Sequence, residues 1–91
     1  MSALADFKKA LQSLTTTVVK AEAAQESQGS SSDAFELQRA ASAAERRRLR
    51  ETHAALVAEL SATAPGAPLP HATWFAQTVA RADALFGPEP V

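Results

Sequence analysis

The stretch "LADFKKALQSLTTTVVKA", Leu4 to Ala21, decides the fold of this chain. Leu4, Phe7, Leu11, Leu14, Val18 and Ala21 follow one another at spacings of 3-4-3-4-3. That is an apolar helix seam carried through nearly three heptads. A strand, whose side chains repeat every second residue, cannot produce it. Ser2 supplies an N-cap, and the charge of Asp6 near the first turn suits the helix dipole. The run "TTTVV", Thr15 to Val19, argues the other way, because each β-branched residue loses rotamer freedom in a helix at a few tenths of a kcal/mol. The unbroken seam outweighs that cost and predicts a helix over residues 3–28.

Outward from this seam, punctuation divides the chain. "QGSSSD" (Gln28 to Asp33) and "APGAPLP" (Ala64 to Pro70) are the internal Gly, Ser and Pro clusters, and "GPEPV" closes the sequence as an expected flexible tail over residues 87–91. Asp33 followed by Glu36 reads as an Asp variant of the capping box and predicts a second helix over residues 33–62. On its wheel Phe35, Leu49, His53, Leu56 and Leu60 share one face. Leu37, Ala40, Ala41 and Ala44 share another, more than a third of a turn away. This pattern predicts a central helix touched by two neighbours, with the Ala-rich half allowing close approach. A third helix over residues 71–86 follows Pro70 and stops at Gly87 and Pro88, with Trp74, Phe75, Thr78, Val79, Ala82, Leu85 and Phe86 forming a wide apolar face. The fold class is therefore all-α, an up-and-down three-helix bundle made of a long antiparallel hairpin and a shorter third helix, in one domain over residues 1–91.

Ninety-one residues of this kind bury about two thirds of their unfolded surface. Of the apolar residues 22 are alanine, so the core rests on a few Leu, Val, Phe and Trp side chains. The absence of cysteine excludes disulfides, thiol nucleophiles and Cys-ligated zinc. No run approaches the roughly 18 apolar residues of a membrane span and no signal-peptide core opens the chain, which makes the expected address cytoplasmic. Helix 3 is too short to cover all of the helix 1 seam. Apolar surface left at Leu4, Phe7, Val18 or Val19 predicts a homodimer or a bound protein partner.

The one chemical signature is "ERRRLRE", Glu45 to Glu51, with four arginines in five positions. Arg39, Arg46 and Arg50 fall within about 40° of one another on the wheel, a stripe about 16 Å long. Glu45 can pair with Arg48, and Glu51 with Arg47, at helical spacing. His53 and His71 belong to no metal-ligand spacing, and His53 is expected at the border of the core. The serines sit in a turn without a nucleophile elbow. Phosphorylation of Ser30, Ser31 or Ser32 would place negative charge at a helix N-terminus, where it is tolerated. Pro65 and Pro68 form a P-x-x-P match inside an interhelical spacer.

No catalytic, cofactor or metal residues are expected, because no carboxylates, histidines or nucleophiles converge on one face. The formal charge of −1 argues against a nonspecific nucleic-acid binder. What remains is a small non-catalytic protein-interaction module, such as an adaptor, chaperone or assembly subunit, working through an amphipathic helix face. Arg39, Arg46, Arg50, Phe7 and Trp74 are the candidate contacts. The alternative is nucleic-acid binding through the Arg39/Arg46/Arg50 stripe. Three-helix bundles of this length serve unrelated ends, so the architecture alone carries no function.

Overall fold

The computed structural model describes residues 2–29 and 31–88. It is an all-helical bundle of α1 (Ala3–Gln28), α2 (Asp33–Thr63) and α3 (Ala72–Phe86), with no strand among the described residues. α2 therefore runs one residue beyond its expected end, and α3 begins one residue late. α3 lies parallel to α1, since Trp74 meets Thr15 and Arg81 meets Glu22, and antiparallel to α2, since Phe75 meets His53 and Phe86 meets Phe35. The 31 residues of α2 span about 46 Å at 1.5 Å each, close to the 47 Å long axis of the molecule. The 15 residues of α3 span about 22 Å and reach along only half of the hairpin.

The first seam folds as its spacing dictates. Phe7, Leu11, Leu14, Val18 and Ala21 are all buried, and only Leu4, at 40% exposure, lies at the edge. Of the surface expected to remain open, Phe7 and Val18 are closed at 0%, whereas Leu4 and Val19 stay open at 40% and 50%. Leu69, from the proline-rich connection, packs with Leu60 and Ala3 against the same core and supplies cover that α3 is too short to give. The connection can fold back because Ala64 to Ala67 form a turn closed by Ala67 N–H donating to the Ala64 carbonyl at 3.0 Å. Pro65 and Gly66 are its central residues, and Gly66 takes φ +84°, which a type II turn requires at its third position.

α2 departs from its expected role. It keeps one buried face throughout, formed by Phe35, Ser42, Leu49 and Leu56 at intervals of seven, while Leu37 is 66% exposed and Ala40, Ala41 and Ala44 face solvent. The central helix is α1, whose backbone lies close to both others. The small side chains that permit this are on α1. Ala10, Thr17 and Ala24, again seven apart, are buried, and Ala24 clusters with Phe35 while Ala10 clusters with Leu49. Ser42 holds its place in the α2 seam by donating its hydroxyl to the Arg39 carbonyl at 2.7 Å, and no buried side-chain polar atom is left unpaired among the described residues.

The α2 cap also shifts by one residue. Ser32, in extended conformation, is the N-cap and accepts from Phe35 N–H at 3.1 Å, while Asp33 already belongs to the first turn and acts with Glu36 through charge. Ser30 and Glu89 to Val91 lie outside the described residues, so the phosphorylation reading at Ser30 and the tail reading beyond Pro88 concern positions not described. Gly87 and Pro88 are described, and Gly87 N–H closes α3 on the Asp83 carbonyl at 2.9 Å.

The threonine run acquires a purpose in the assembled bundle. Thr15 donates to the Leu11 carbonyl at 2.7 Å and accepts from the Trp74 indole N–H at 2.9 Å. With its only proton committed, Thr15 must also accept from the Thr78 hydroxyl, 3.2 Å away. Thr17 turns to the other side and donates to Glu45 at 2.5 Å, beside Ser13, which donates to the same carboxylate at 2.9 Å. Two threonines two residues apart thereby hydrogen-bond α1 to α3 and to α2 at one level of the bundle.

Candidate functional site

Because α3 packs its backbone against α1, the space between α2 and α3 is bridged by longer side chains, and a groove remains there. Its base is the ring cluster that joins all three helices. His53 stacks on Phe75 at 4.5 Å and 5°, and Phe7 meets both at 5.9 and 5.6 Å. Leu14, Leu49 and Val79 continue the apolar floor.

Arg46 crosses the groove. Its guanidinium donates to Asp83 Oδ1 at 2.5 Å and to the Gly87 carbonyl at 2.8 Å, and only 10% of the side chain is exposed. This brace ties the end of α3 to the middle of α2 and divides the groove. On one side lies a cleft of about 250 Å³ floored by Leu49, Phe75 and Val79. On the other lies one of about 280 Å³ between Phe86, Pro88, Ala43 and four arginines, Arg39, Arg46, Arg47 and Arg50. No carboxylate lines the second cleft among its described residues.

The sequence-predicted residues thus part company. Arg39, Arg46 and Arg50 do come together along this groove, joined by Arg47, which lies off the stripe on the wheel. Arg39 also lies over the Phe35 ring at 5.5 Å and pairs with Glu36 at 3.4 Å. Arg46 is committed inside the chain. Phe7 is wholly buried, so it is a core residue with no surface to offer a partner. Trp74 is half-buried on the α1 side, its N–H held by Thr15 and its ring set edge-on to His71 at 5.6 Å. The pairs expected within the arginine run do not form among the described residues. Glu45 instead accepts from Ser13 and Thr17 of α1, and neither Arg47 nor Arg48 makes an ion pair with a described residue.

Sequence reasoning missed Asp83, Phe86 and Pro88 as groove residues. Pairing of Arg46 with a carboxylate 37 positions away leaves no local signal, whereas Phe86 was legible as part of the α3 apolar arc. His53 borders the core as its wheel position predicts, and no group of three His, Cys, Asp or Glu that could hold a metal ion occurs among the described residues. No helix among them is long and apolar enough to cross a membrane.

Fold and site together define a small helical bundle with a divided, arginine-lined groove on one face. Family models, curated proteins and solved structures provide no match to this chain, so its reading rests on its own geometry.

Proposed function

We propose that the chain is a non-catalytic protein-interaction module and that the α2–α3 groove is its binding face. The observation that carries this is the divided groove itself. Each cleft, at about 250 and 280 Å³, lies at the small end of the range of roughly 300–1,000 Å³ usual for small-molecule sites. The Arg46 brace prevents their merging. Shallow adjacent depressions with an apolar floor and polar rim suit side chains offered by another protein.

The buried seam weakens the case for a homodimer, because Phe7 and Val18 are consumed within the chain. A symmetric contact through the groove would also set arginines against arginines. The partner is therefore a different chain. Nucleic-acid binding through the arginine stripe loses support from Arg46, which is turned inward to Asp83 and Gly87. Too few cations remain for the 6–10 phosphate contacts of a typical strong binder.

Photo-crosslinking groups placed singly at the exposed positions Ala43, Leu37 and Val57, in cells making the protein, test the reading. Crosslinks to a different protein are expected from Ala43, which lines the groove, and not from Leu37 or Val57, which lie outside it. Crosslinks to nucleic acid, no crosslink from Ala43, or capture only from Leu37 or Val57 would refute it.

A further inference from the structure

The outward side of α2 carries a second heptad row, which the bundle leaves uncovered. From Leu37 to Ala62, at spacings of 4-3-4-3-4-3-4, the row reads Leu, Ala, Ala, Arg, Glu, Ala, Ala, Ala. Every member is exposed, Leu37 at 66%. The row is centred about 140° around the helix from the buried Phe35, Ser42, Leu49 and Leu56, and it keeps pace with them at seven residues per repeat. It therefore uses neither the buried seam of α1 nor the groove. At its middle stand two opposite charges, Arg48 and Glu51. They are three apart, a spacing at which they can pair with each other, yet neither makes an ion pair with a described residue.

We infer that two copies of the chain associate through this row, α2 antiparallel to α2, about a two-fold axis that passes between Arg48 and Glu51. The alanines alone would specify nothing, but the charges fix a register. In the antiparallel arrangement Arg48 meets Glu51 of the partner subunit, and the two-fold axis repeats that pair. Ala44 then meets Ala55 of the partner subunit, and Leu37 meets Ala62 of the partner subunit. A slip of seven residues would set each charge against alanine, and a parallel pair would set like charges together. The flanking positions agree with the same register. Arg47 falls beside Ala54 of the partner subunit and Glu59 beside Gln38 of the partner subunit, so no like charges are opposed. Heptad spacing suits a shallow crossing of about 20°, and alanine lets the axes approach to the near end of about 8–10 Å. Small side chains bury little area, so the dimer is weak and its ion pairs decide it. The groove of each copy stays open, and neither reading depends on the other.

Sedimentation equilibrium from about 10 μM to 1 mM, at low salt, tests the association. The parent chain should pass from monomer to dimer and no further, and less readily as salt rises. Arg48→Glu and Glu51→Arg should each weaken the dimer at least about tenfold, which is about 1.4 kcal/mol, because the two-fold axis counts each change twice. The double reversal restores opposite charges and should recover most of the loss. At concentrations where the parent is monomeric, circular dichroism and melting of all three variants should match it, since both positions are exposed.

Disulfide trapping tests the register. The chain has no cysteine of its own, and residues 44 and 55 lie about 16 Å apart along one helix, too far to bridge within a chain. Ala44→Cys and Ala55→Cys proteins, mixed and oxidised, should link faster than either does alone. A monomer at every concentration, a dimer indifferent to the single reversals, a double reversal no better than the singles, or fastest linking within one variant alone would overturn the inference. In the photo-crosslinking experiment the product from Leu37 should be the chain joined to itself, whereas that from Ala43 is a different protein, so each reading can fail alone.

Discussion

Thr15→Val is the sharpest perturbation that the bundle offers, because valine keeps the shape and the β-branch and deletes one hydroxyl that serves three bonds. The bond to the Leu11 carbonyl adds little, since that carbonyl is already engaged within the helix. The other two matter. Trp74 loses the acceptor for its indole N–H but is half-buried and can turn partly to water. Thr78, 1% exposed, loses its interhelical acceptor and must rotate toward its own helix. A net hydrogen bond contributes about 0.5–1.5 kcal/mol, and a buried group left unpaired costs about 1–3 kcal/mol. Together these give a loss of about 2 kcal/mol, which for a domain of this size lowers Tm by about 8–16 °C.

Urea unfolding followed by far-UV circular dichroism measures the loss without relying on the fluorescence of Trp74 itself. Trp74→Phe removes the donor instead of the acceptor. The double variant should then cost less than the sum of the singles, with a coupling of about 1 kcal/mol. Thr15→Val within about 0.5 kcal/mol of the parent, or strict additivity with Trp74→Phe, would refute a shared hydroxyl node.

Leu11→Ala and Leu56→Ala, at 0% and 2% exposure, should each cost about 2–5 kcal/mol in the same assay, and a loss under about 0.5 kcal/mol would show that the seam is not core. Arg46→Ala should cost about 1–2 kcal/mol, discounted because Asp83 is 46% exposed. Amide exchange should then accelerate at the end of α3, and unchanged exchange there would remove the brace. The hydrogen bond from Arg81, aided by its charge and opposed by slight burial, holds the Glu22 carboxyl below its ordinary range. A lowered folded-state pKa stabilises above the unfolded value, so the gain is full above the ordinary glutamate range and is lost as pH falls from there through the lower folded value. Both side chains are about two-fifths exposed, which limits the contribution to well under about 1 kcal/mol. Glu22→Gln should therefore flatten the acid limb of the stability profile slightly, and an unchanged limb would show that the pair is solvated away.

The seam of α1 and the arc of α3 were legible because apolar residues alone mark them. The face of α2 was legible at Phe35, Leu49 and Leu56 but not between the first two, because its second heptad position is Ser42. A serine reads as solvent-facing, and that shifted the apparent apolar line of the first half onto Leu37 and the alanines. Only the bond from Ser42 to the Arg39 carbonyl makes the position tolerable inside. The same blindness hid the role of "TTT". Propensity registers its cost in the helix, whereas its return lies in Trp74, Thr78 and Glu45, all distant in sequence. The groove was half legible for a similar reason. Helical spacing gathers Arg39, Arg46 and Arg50 on one side of α2, but whether each guanidinium points outward depends on what α3 presents.

That dependence separates the arginines of "ERRRLRE" by consequence rather than by position. Arg46 lies nearest the α3 end and is drawn onto Asp83 and the Gly87 carbonyl, where it gives up its availability to hold the bundle closed. Arg47, one residue on, turns 100° around the helix and escapes that attraction, so it contributes charge to the cleft that Arg46 walls off. Arg48 lies a further step around and away from the groove. The brace and the basic cleft are thus linked. Removing Arg46 would loosen α3, join the two clefts and subtract a positive charge from the lining at once, so its effect on binding mixes all three changes. Arg47, exposed and without an ion-pair partner among the described residues, changes the charge alone.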